Sequence, residues 1–361
     1  MTILNDEDVL SIRAGKLARQ HLQAHGLKAA DVAVVPGAAG GPKAIGLLGL
    51  DQAVFPWLNA APRPREFIGA SIGSWRLACA LQADPVSQLA HLSERYIDTT
   101  YPDPTVHTIT RQSAEMLHAL FDAEGIEQIL NHPQHRLSIL VAQSHGLLNR
   151  SGRTPLLAGL AFSAGLNLLS RPLLRYAFTR MVCHDVRSSL SFLPADGIPT
   201  RLRALDRGNL LPLLLASAAI PGVIEGVRLD DLPGRLLRDG GLIDYHLDLP
   251  FDGSRGLTLY PHFTDRIVPG WFDKFLPWRQ AHSAHHQHTI LIAPSARYLA
   301  SLPGGKLPDR RDFKRFAGQD ALRQQQWRTA AAQSRQLGDA FLALCDSGRI
   351  ADIARPLFPD Q

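Results

Sequence analysis

Apolar and polar positions follow two rhythms along this chain. Val9, Leu10, Ile12, Leu17 and Leu22 recur with basic residues between them, which predicts an amphipathic helix over residues 9–25 that stops at Gly26. A short apolar, β-branched run at 31–35 reads as a buried strand, and Phe67-Ile-Gly-Ala70 as a second strand. Each is followed by helical periodicity, at 45–58 and after Ser71 through Leu81. That βαβα order predicts an α/β fold with a mainly parallel sheet and helices on both faces. Further on, 85–97 and 111–130 read as helices and 136–143 as a strand. Residues 154–178 are apolar almost all round, interrupted by Pro155 and Pro172. Strands are expected at 178–183, 201–205, 235–238, 256–262 and 289–293, and helices at 209–219 and over 312–344.

Pro36-Gly-Ala-Ala-Gly-Gly-Pro-Lys-Ala44 joins the first strand to its helix. Exposed amides at such a turn can hold an anion, either a phosphate or a reaction oxyanion. A phosphate loop requires G-x-x-x-x-G-K-[ST]. Here Pro42 replaces the second glycine and Ala44 the hydroxyl residue, so a nucleotide is disfavoured. An oxyanion needs only two converging amides, and Gly40 and Gly41 can supply them. A tight turn without a ligand is the plain alternative.

Gly69-Ala-Ser-Ile-Gly73 is a G-x-S-x-G between a strand and a helix. A sharp turn there lifts the serine hydroxyl out of the sheet, and the helix that follows points its positive end at a developing oxyanion. The plain alternative is a small-residue turn with Ser71 as a helix cap. Arg238-Asp-Gly-Gly-Leu242 follows a short apolar strand. Asp239 is either a turn residue or the base that takes the serine proton directly. A Ser–Asp–His triad would use Ser71, Asp206 or Asp239, and His246 or His262, none of them in a distinctive histidine motif. His282, His285, His286 and His288 read as a solvated loop rather than a metal site, since no acidic ligand is near in sequence.

Taken together and in this order, the glycine turn, the G-x-S-x-G about thirty residues on and the distant Asp-Gly-Gly resemble the patatin-like phospholipase family. Leu215-Ala-Ser-Ala-Ala-Ile-Pro-Gly222 matches that family's small-residue helix before the Asp-Gly-Gly. The resemblance spans about 31–245. It implies a three-layer α/β/α hydrolase fold and hydrolysis of acyl esters of lipids without metal or other cofactor. It makes Ser71 the nucleophile, Asp239 the base, Gly40 and Gly41 the oxyanion glycines and Lys43 the family's basic residue. Gly69, Gly73, Gly240 and Gly241 complete the motifs. Pro42, Ala44 and Tyr245 depart from the family pattern, and Pro42 removes one amide donor. Transacylation, depolymerisation of an intracellular polyester and ligand binding without catalysis are alternatives on the same fold.

Composition narrows the rest. The 361 residues are 45% hydrophobic and 20% charged, an ordinary globular balance. Cys79, Cys183 and Cys345 are too few and too scattered for a disulfide framework or a cysteine zinc site. With 38 Lys+Arg against 33 Asp+Glu, the net charge of +5 suits an anionic membrane surface but is too small to argue for nucleic acid. The basic cluster Arg310, Arg311, Lys314 and Arg315 reads as a solvated helix face or a contact with anionic lipid. Leu156 to Phe178 reads as a lipid-binding wall or a buried helix pair, and the aromatic run 257–278 as acyl-pocket lining or core. MTILNDEDVLSIRAGK lacks the basic and apolar regions of a signal peptide, so a cytoplasmic protein is expected. The expected division is an N-terminal helical extension (1–30), a catalytic domain (31–300) and a C-terminal helical region packed on it (301–361). Oligomeric state is left open.

Overall fold

Strands covered on both faces read as continuous apolar runs, and here they build the middle of one mixed sheet. The computed structural model describes residues 5–251 and 253–358. Ten described strands are β1 (Leu10–Ala14), β2 (Val32–Gly37), β3 (Arg65–Ala70), β4 (His135–Ser144), β5 (Phe178–His184), β6 (Thr200–Ala204), β7 (Leu237–Asp239), β8 (Leu257–Pro261), β9 (Thr289–Pro294) and β10 (Arg355–Pro356). Their order is β10-β1-β9-β8-β2-β3-β4-β5-β6, with β7 added beside β4. β2, β3, β4, β8 and β9 run parallel to their neighbours within this core, while β1 on β9, β5 on β4 and β7 on β4 are antiparallel. Every residue of β2, β3 and β9 is buried. Helices flank the mostly parallel sheet, as a three-layer α/β/α arrangement requires.

Three elements differ from the sequence expectation. Residues 9–25 are not one helix: β1 comes first and the helix Lys16–His25 follows. Leu10, Ile12 and Ala14 are buried while Ser11 and Arg13 are half-exposed, a period of two that pairs with β9. Within the expected N-terminal helical extension, Leu10–Ala14 thus joins the sheet and Lys16–His25 is helical. The stretch 111–130 is two helices, Val106–Leu120 and Ala123–Leu130, because the Asp122 carboxylate accepts the Gly125 amide at 2.7 Å and starts a new cap. The stretch 312–344 is three helices, Arg311–Arg315, Asp320–Gln333 and Arg335–Asp346. Gly318 at φ 75° breaks the first junction. Ser334 marks the second, its Oγ accepting the Gly49 amide at 2.8 Å. Residues 1–4 and 359–361, the ends of the outer two expected segments, lie outside the described residues.

One buried ion pair locks the layer behind the glycine turn. Arg76, on helix Ile72–Ala80, donates from Nε to Asp51 Oδ2 at 2.7 Å on helix Leu48–Asn59. Both side chains are almost fully buried. The helices that follow the glycine turn and the Ser71 turn are therefore tied to each other inside the protein.

Candidate active site

The G-x-S-x-G turn forms where β3 ends. Ser71 sits at φ 55°, ψ −135°, a conformation that costs a non-glycine residue about 1–3 kcal/mol, and helix Ile72–Ala80 starts immediately after it. The flanking glycines are demanded by close approach: a β-carbon on Gly73 would lie 2.0 Å from the Gly37 carbonyl oxygen, and one on Gly69 would lie 2.6 Å from the Ser74 nitrogen. A chain of hydrogen bonds holds the strained residue. Ser74 Oγ donates to the Ser71 carbonyl at 2.6 Å, and the Ser71 amide donates to Ser217 Oγ at 2.9 Å. Ser217 Oγ in turn donates to the Leu140 carbonyl at 2.7 Å. Ser217 lies in the small-residue motif, but its role as a bridge from β4 to the serine turn was not legible there. Only the packing of helix Leu210–Ser217 on β4 brings the two together.

The carboxylate arrives from the other direction. β3 ends with Ala70 opposite Leu140, and β7, antiparallel to β4, ends with Asp239 opposite Val141. The two strand ends thus meet head to head beside consecutive residues of β4. Gly240 then crosses over β4 so closely that a β-carbon on it would lie 2.1 Å from the Leu140 carbonyl oxygen. Ser71 Oγ donates to Asp239 Oδ2 at 2.8 Å, and the Gly241 amide donates to Asp239 Oδ1 at 2.7 Å. Burial pushes the Asp239 carboxyl up to about 6. The Ser71 hydroxyl, the Gly241 amide and the charges of Arg310 and Lys274 oppose that rise.

The glycine turn closes the third side. The Ala39 amide is spent on the Tyr245 carbonyl at 3.0 Å. Gly40 and Gly41 come next, Gly41 at φ 57°, and Gly40 packs on Phe263, where a β-carbon would lie 2.6 Å from Cε1. Gly41 to Leu47 then wind as a 3₁₀ helix before the α-helix Leu48–Asn59. Pro42 stands in the first turn of that 3₁₀ helix, where an amide has no intrahelical partner, so its missing N–H costs the turn nothing. Gly40 walls a small slot with Ser71, Asp239 and Gly241, while Gly41 walls a larger cavity with Ser71.

Lys43 is not in either wall with Ser71. Its Nζ lies 4.3 Å from the Phe263 ring centroid, and burial holds its pKa down. Arg310 takes the place beside the serine instead, in the walls of both compartments. A β-carbon on Gly41 would lie 3.5 Å from Arg310 Nε and 3.8 Å from Tyr96 Oη. The basic residues of the 310–315 cluster are exposed, as a solvated face requires, but Arg310 at their start also borders the glycine turn and both compartments. Lys274 is a second cation missed in the sequence. Its Nζ stacks 3.8 Å from the Tyr245 ring, and loss of hydration beside Lys43 and Arg310 lowers it to about 7. The basic run marks Arg310 only as part of a charged cluster and nothing marks Lys274, because only the fold brings the two near Asp239.

The larger compartment is an apolar cavity of about 700 Å³ running from Ser71 past Trp75, Tyr96, Tyr101, Ile109, Met116 and Phe313. Its volume lies within the range of ordinary small-ligand sites. The aromatic run 257–278 contributes little to it: Trp271 walls the small slot, Phe272 is core, and Phe275 and Trp278 are exposed.

The histidines are used elsewhere. His246 and His262 are buried in an aromatic stack with Phe263, and burial pushes His262 down to about 3 and His246 well down as well. His246 Nδ1 accepts the Val268 amide at 3.0 Å, and the His262 Nδ1 accepts the Thr264 amide at 3.0 Å. Asp206 is occupied with Asn209 and the Gly208 amide. The 282–288 cluster is not a solvated loop throughout. Asp248, distant in sequence, receives the His282 amide and lies 3.0 Å from His285 Nδ1 and 3.1 Å from the fully buried His286 Nε2. These contacts hold its carboxyl well below the usual range.

Among the described residues no helix is long and apolar enough to cross a membrane. No curated protein matches the chain. The family model for patatin-like phospholipase matches residues 38–247, which include the glycine turn, the Ser71 turn, the Ser217 helix and Asp239. More than half of the chain is covered, and on that match the protein belongs to the patatin-like phospholipase family.

Proposed function

We propose that the protein is a serine hydrolase that cleaves carboxylic esters of acyl lipids through a Ser71–Asp239 dyad. The observation that carries this reading is the 2.8 Å hydrogen bond from Ser71 Oγ to Asp239 Oδ2, beside an apolar cavity that starts at the same serine. Ser71 Oγ attacks the ester carbonyl and Asp239 accepts its proton, forming a tetrahedral oxyanion. The Gly40 and Gly41 amides hold that oxyanion. The alkoxide leaves with the proton from Asp239, giving an acyl-Ser71 ester. Water then attacks the acyl carbonyl while Asp239 takes a proton from it, and the proton returns to Ser71 as the free acid leaves. No metal or cofactor enters these steps. The anionic carboxylate is the form that acts, which the Arg310 and Lys274 charges favour. The acyl chain occupies the apolar cavity and the alcohol portion faces the slot between Gly40 and Trp271.

The test combines a fluorophosphonate probe with a panel of p-nitrophenyl esters and phospholipids. Labelling and turnover by the wild type, both lost in a folded Ser71→Ala, support the reading. A folded wild type that shows neither labelling nor turnover makes the chain a lipid-binding protein instead. Transfer of the acyl group to an added alcohol in preference to water would make it a transacylase.

A further inference from the structure

The helix Arg153–Leu169 is built inside out. Its two polar interior residues, Ser163 and Asn167, are buried, while Leu157, Phe162, Leu168 and Leu169 are each more than half exposed. Alanine and glycine fill the rest of the outward face, at Ala158, Ala161, Ala164 and Gly165. A helix on a water-facing surface has the opposite pattern. The buried-helix-pair reading of this stretch therefore fails: one face packs inward and the other presents leucine and phenylalanine to the outside.

The inward polar face has a defined partner. Asn167 Nδ2 donates to Asp273 Oδ1 at 2.6 Å, and Arg279 Nη2 donates to the Asn167 carbonyl at 2.8 Å. Arg171 Nη1 lies 3.6 Å from Asp273 Oδ2. These contacts fix the segment 271–279 against the helix, and that segment exposes Phe275 and Trp278. Tyr176, after the helix, is exposed as well. Of the nine large apolar side chains more than half exposed among the described residues, seven belong to these adjoining stretches. Clustering of that kind marks an interaction site, whereas single exposed leucines do not.

Charge decides the partner. From Gln128 to His184 the chain holds no aspartate or glutamate. Arg150, Arg153 and Arg175 are exposed and form no ion pair among the described residues. The nearest carboxylate of the adjoining segment, Asp273, is buried among Asn167, Arg171 and Arg279. The result is an apolar patch with a cationic rim and no free carboxylate, complementary to a surface of anionic headgroups over acyl chains. A seventeen-residue helix is about 25 Å long, too short to span ~30 Å of hydrocarbon, so it would lie in the plane of the interface.

We propose that this face, formed by helix Arg153–Leu169, Tyr176 and the 271–279 segment, docks the protein on a bilayer that carries anionic lipid. Leu157, Phe162, Leu168, Leu169, Phe275 and Trp278 enter the apolar layer, and Arg150, Arg153 and Arg175 meet the headgroups. The patch is continuous with the candidate site through Trp271, which walls the slot beside Ser71 and Asp239. Docking therefore sets the slot next to the lipid from which a substrate would come. That last step rests on the hydrolase reading, whereas docking itself does not.

The experiment uses the full chain carrying Ser71→Ala, so that no lipid is consumed. Co-sedimentation is measured with vesicles of pure phosphatidylcholine and with vesicles containing phosphatidylglycerol, at low and high salt. Expected is binding to the anionic vesicles that weakens with salt and falls at least tenfold in Leu168→Asp/Leu169→Asp, with Arg153→Gln/Arg175→Gln removing the preference for anionic lipid. Melting temperatures of the variants report that they are folded. Absence of vesicle binding, or binding that folded variants retain, overturns the proposal. So does a dimer in light scattering that the Leu168→Asp/Leu169→Asp change dissociates, since the face would then belong to a second copy. Fluorophosphonate labelling of the Ser71 protein judges the hydrolase reading separately.

Discussion

Ser71 and Asp239 stand 168 residues apart in the chain and 2.8 Å apart in space because their strands end against neighbouring residues of β4. β3 stops opposite Leu140 and β7 stops opposite Val141, so the hydroxyl and the carboxylate need no flexible loop to find each other. Ser217 spans the same point from a third element, accepting the Ser71 amide and donating to the Leu140 carbonyl. The geometry of the pair is a property of sheet register.

Ser217→Ala removes both of those buried bonds. A loss of about 1–3 kcal/mol in stability is expected from the unsatisfied Ser71 amide and Leu140 carbonyl. The strained serine also loses one of its fixings, so kcat on a p-nitrophenyl ester should fall more than KM changes. Denaturant unfolding and steady-state kinetics on the same preparation check both.

The pH dependence follows from the raised Asp239 carboxyl. As the proposed base, Asp239 must be ionised, so kcat/KM should rise with pH along a limb centred near 6 and level off above it. The charge of Arg310 favours the ionised form. Arg310→Gln should move that limb to higher pH, as a pH–rate profile with a neutral ester would show.

Stability should run the other way. The folded carboxyl keeps its proton to about pH 6, and an unfolded aspartate releases it near 3.9. The folded state binds the extra proton between those values, so this group's contribution is present below about pH 4 and is lost as pH rises through 6. Asp239→Asn removes the charge and keeps an acceptor for the Gly241 amide. It should abolish ester hydrolysis and raise stability at pH 8 by on the order of 2–3 kcal/mol, read by thermal denaturation at pH 8 against pH 4.5.

Asp51→Ala should be costly in a different way. It leaves the Arg76 guanidinium buried without its carboxylate, between the two helices it joins. A loss of about 3–5 kcal/mol is expected from breaking one side of a buried pair. Substituting the pair together, Asp51→Leu with Arg76→Met, should recover much of it in urea titrations.

Gly73→Ala tests the crowding under the serine turn. Its β-carbon would lie 2.0 Å from the Gly37 carbonyl oxygen, so β2 and helix Ile72–Ala80 would have to separate. Soluble expression should drop sharply, and whatever folds should lose fluorophosphonate labelling.

Much of the site was legible in the order of motifs. Gly-rich turn, Gly69-Ala-Ser-Ile-Gly73 and Asp239-Gly-Gly are local signals, each set by backbone that must bend or approach closely, and each lies where the structure bends or crosses. The placement of Arg310 and Lys274 beside Asp239 was not legible, because a cation near a carboxylate leaves no trace of that partner in its local sequence. Lys43 shows the converse: its motif position suggested the site, and its side chain turns to Phe263. Asp248 gathers His285 and His286 from 37 and 38 residues away, which no spacing rule could anticipate.

Periodicity by itself pointed to the parallel core, since β2 and β9 are largely continuous apolar runs of the kind that a sheet covered on both faces accepts. It failed where two periods fit the same residues, as at 9–25, because pairing with β9 rather than intrinsic preference chose the strand. It also could not say which way the apolar stretch 154–169 faces. A helix apolar on nearly every side has no sequence-defined inward face; in the structure Asn167 faces inward onto Asp273, with Ser163 buried on the same side and the leucines outside. Chemistry-bearing residue types belong to the chain, whereas their distances and the face a helix shows come from packing between segments far apart in sequence.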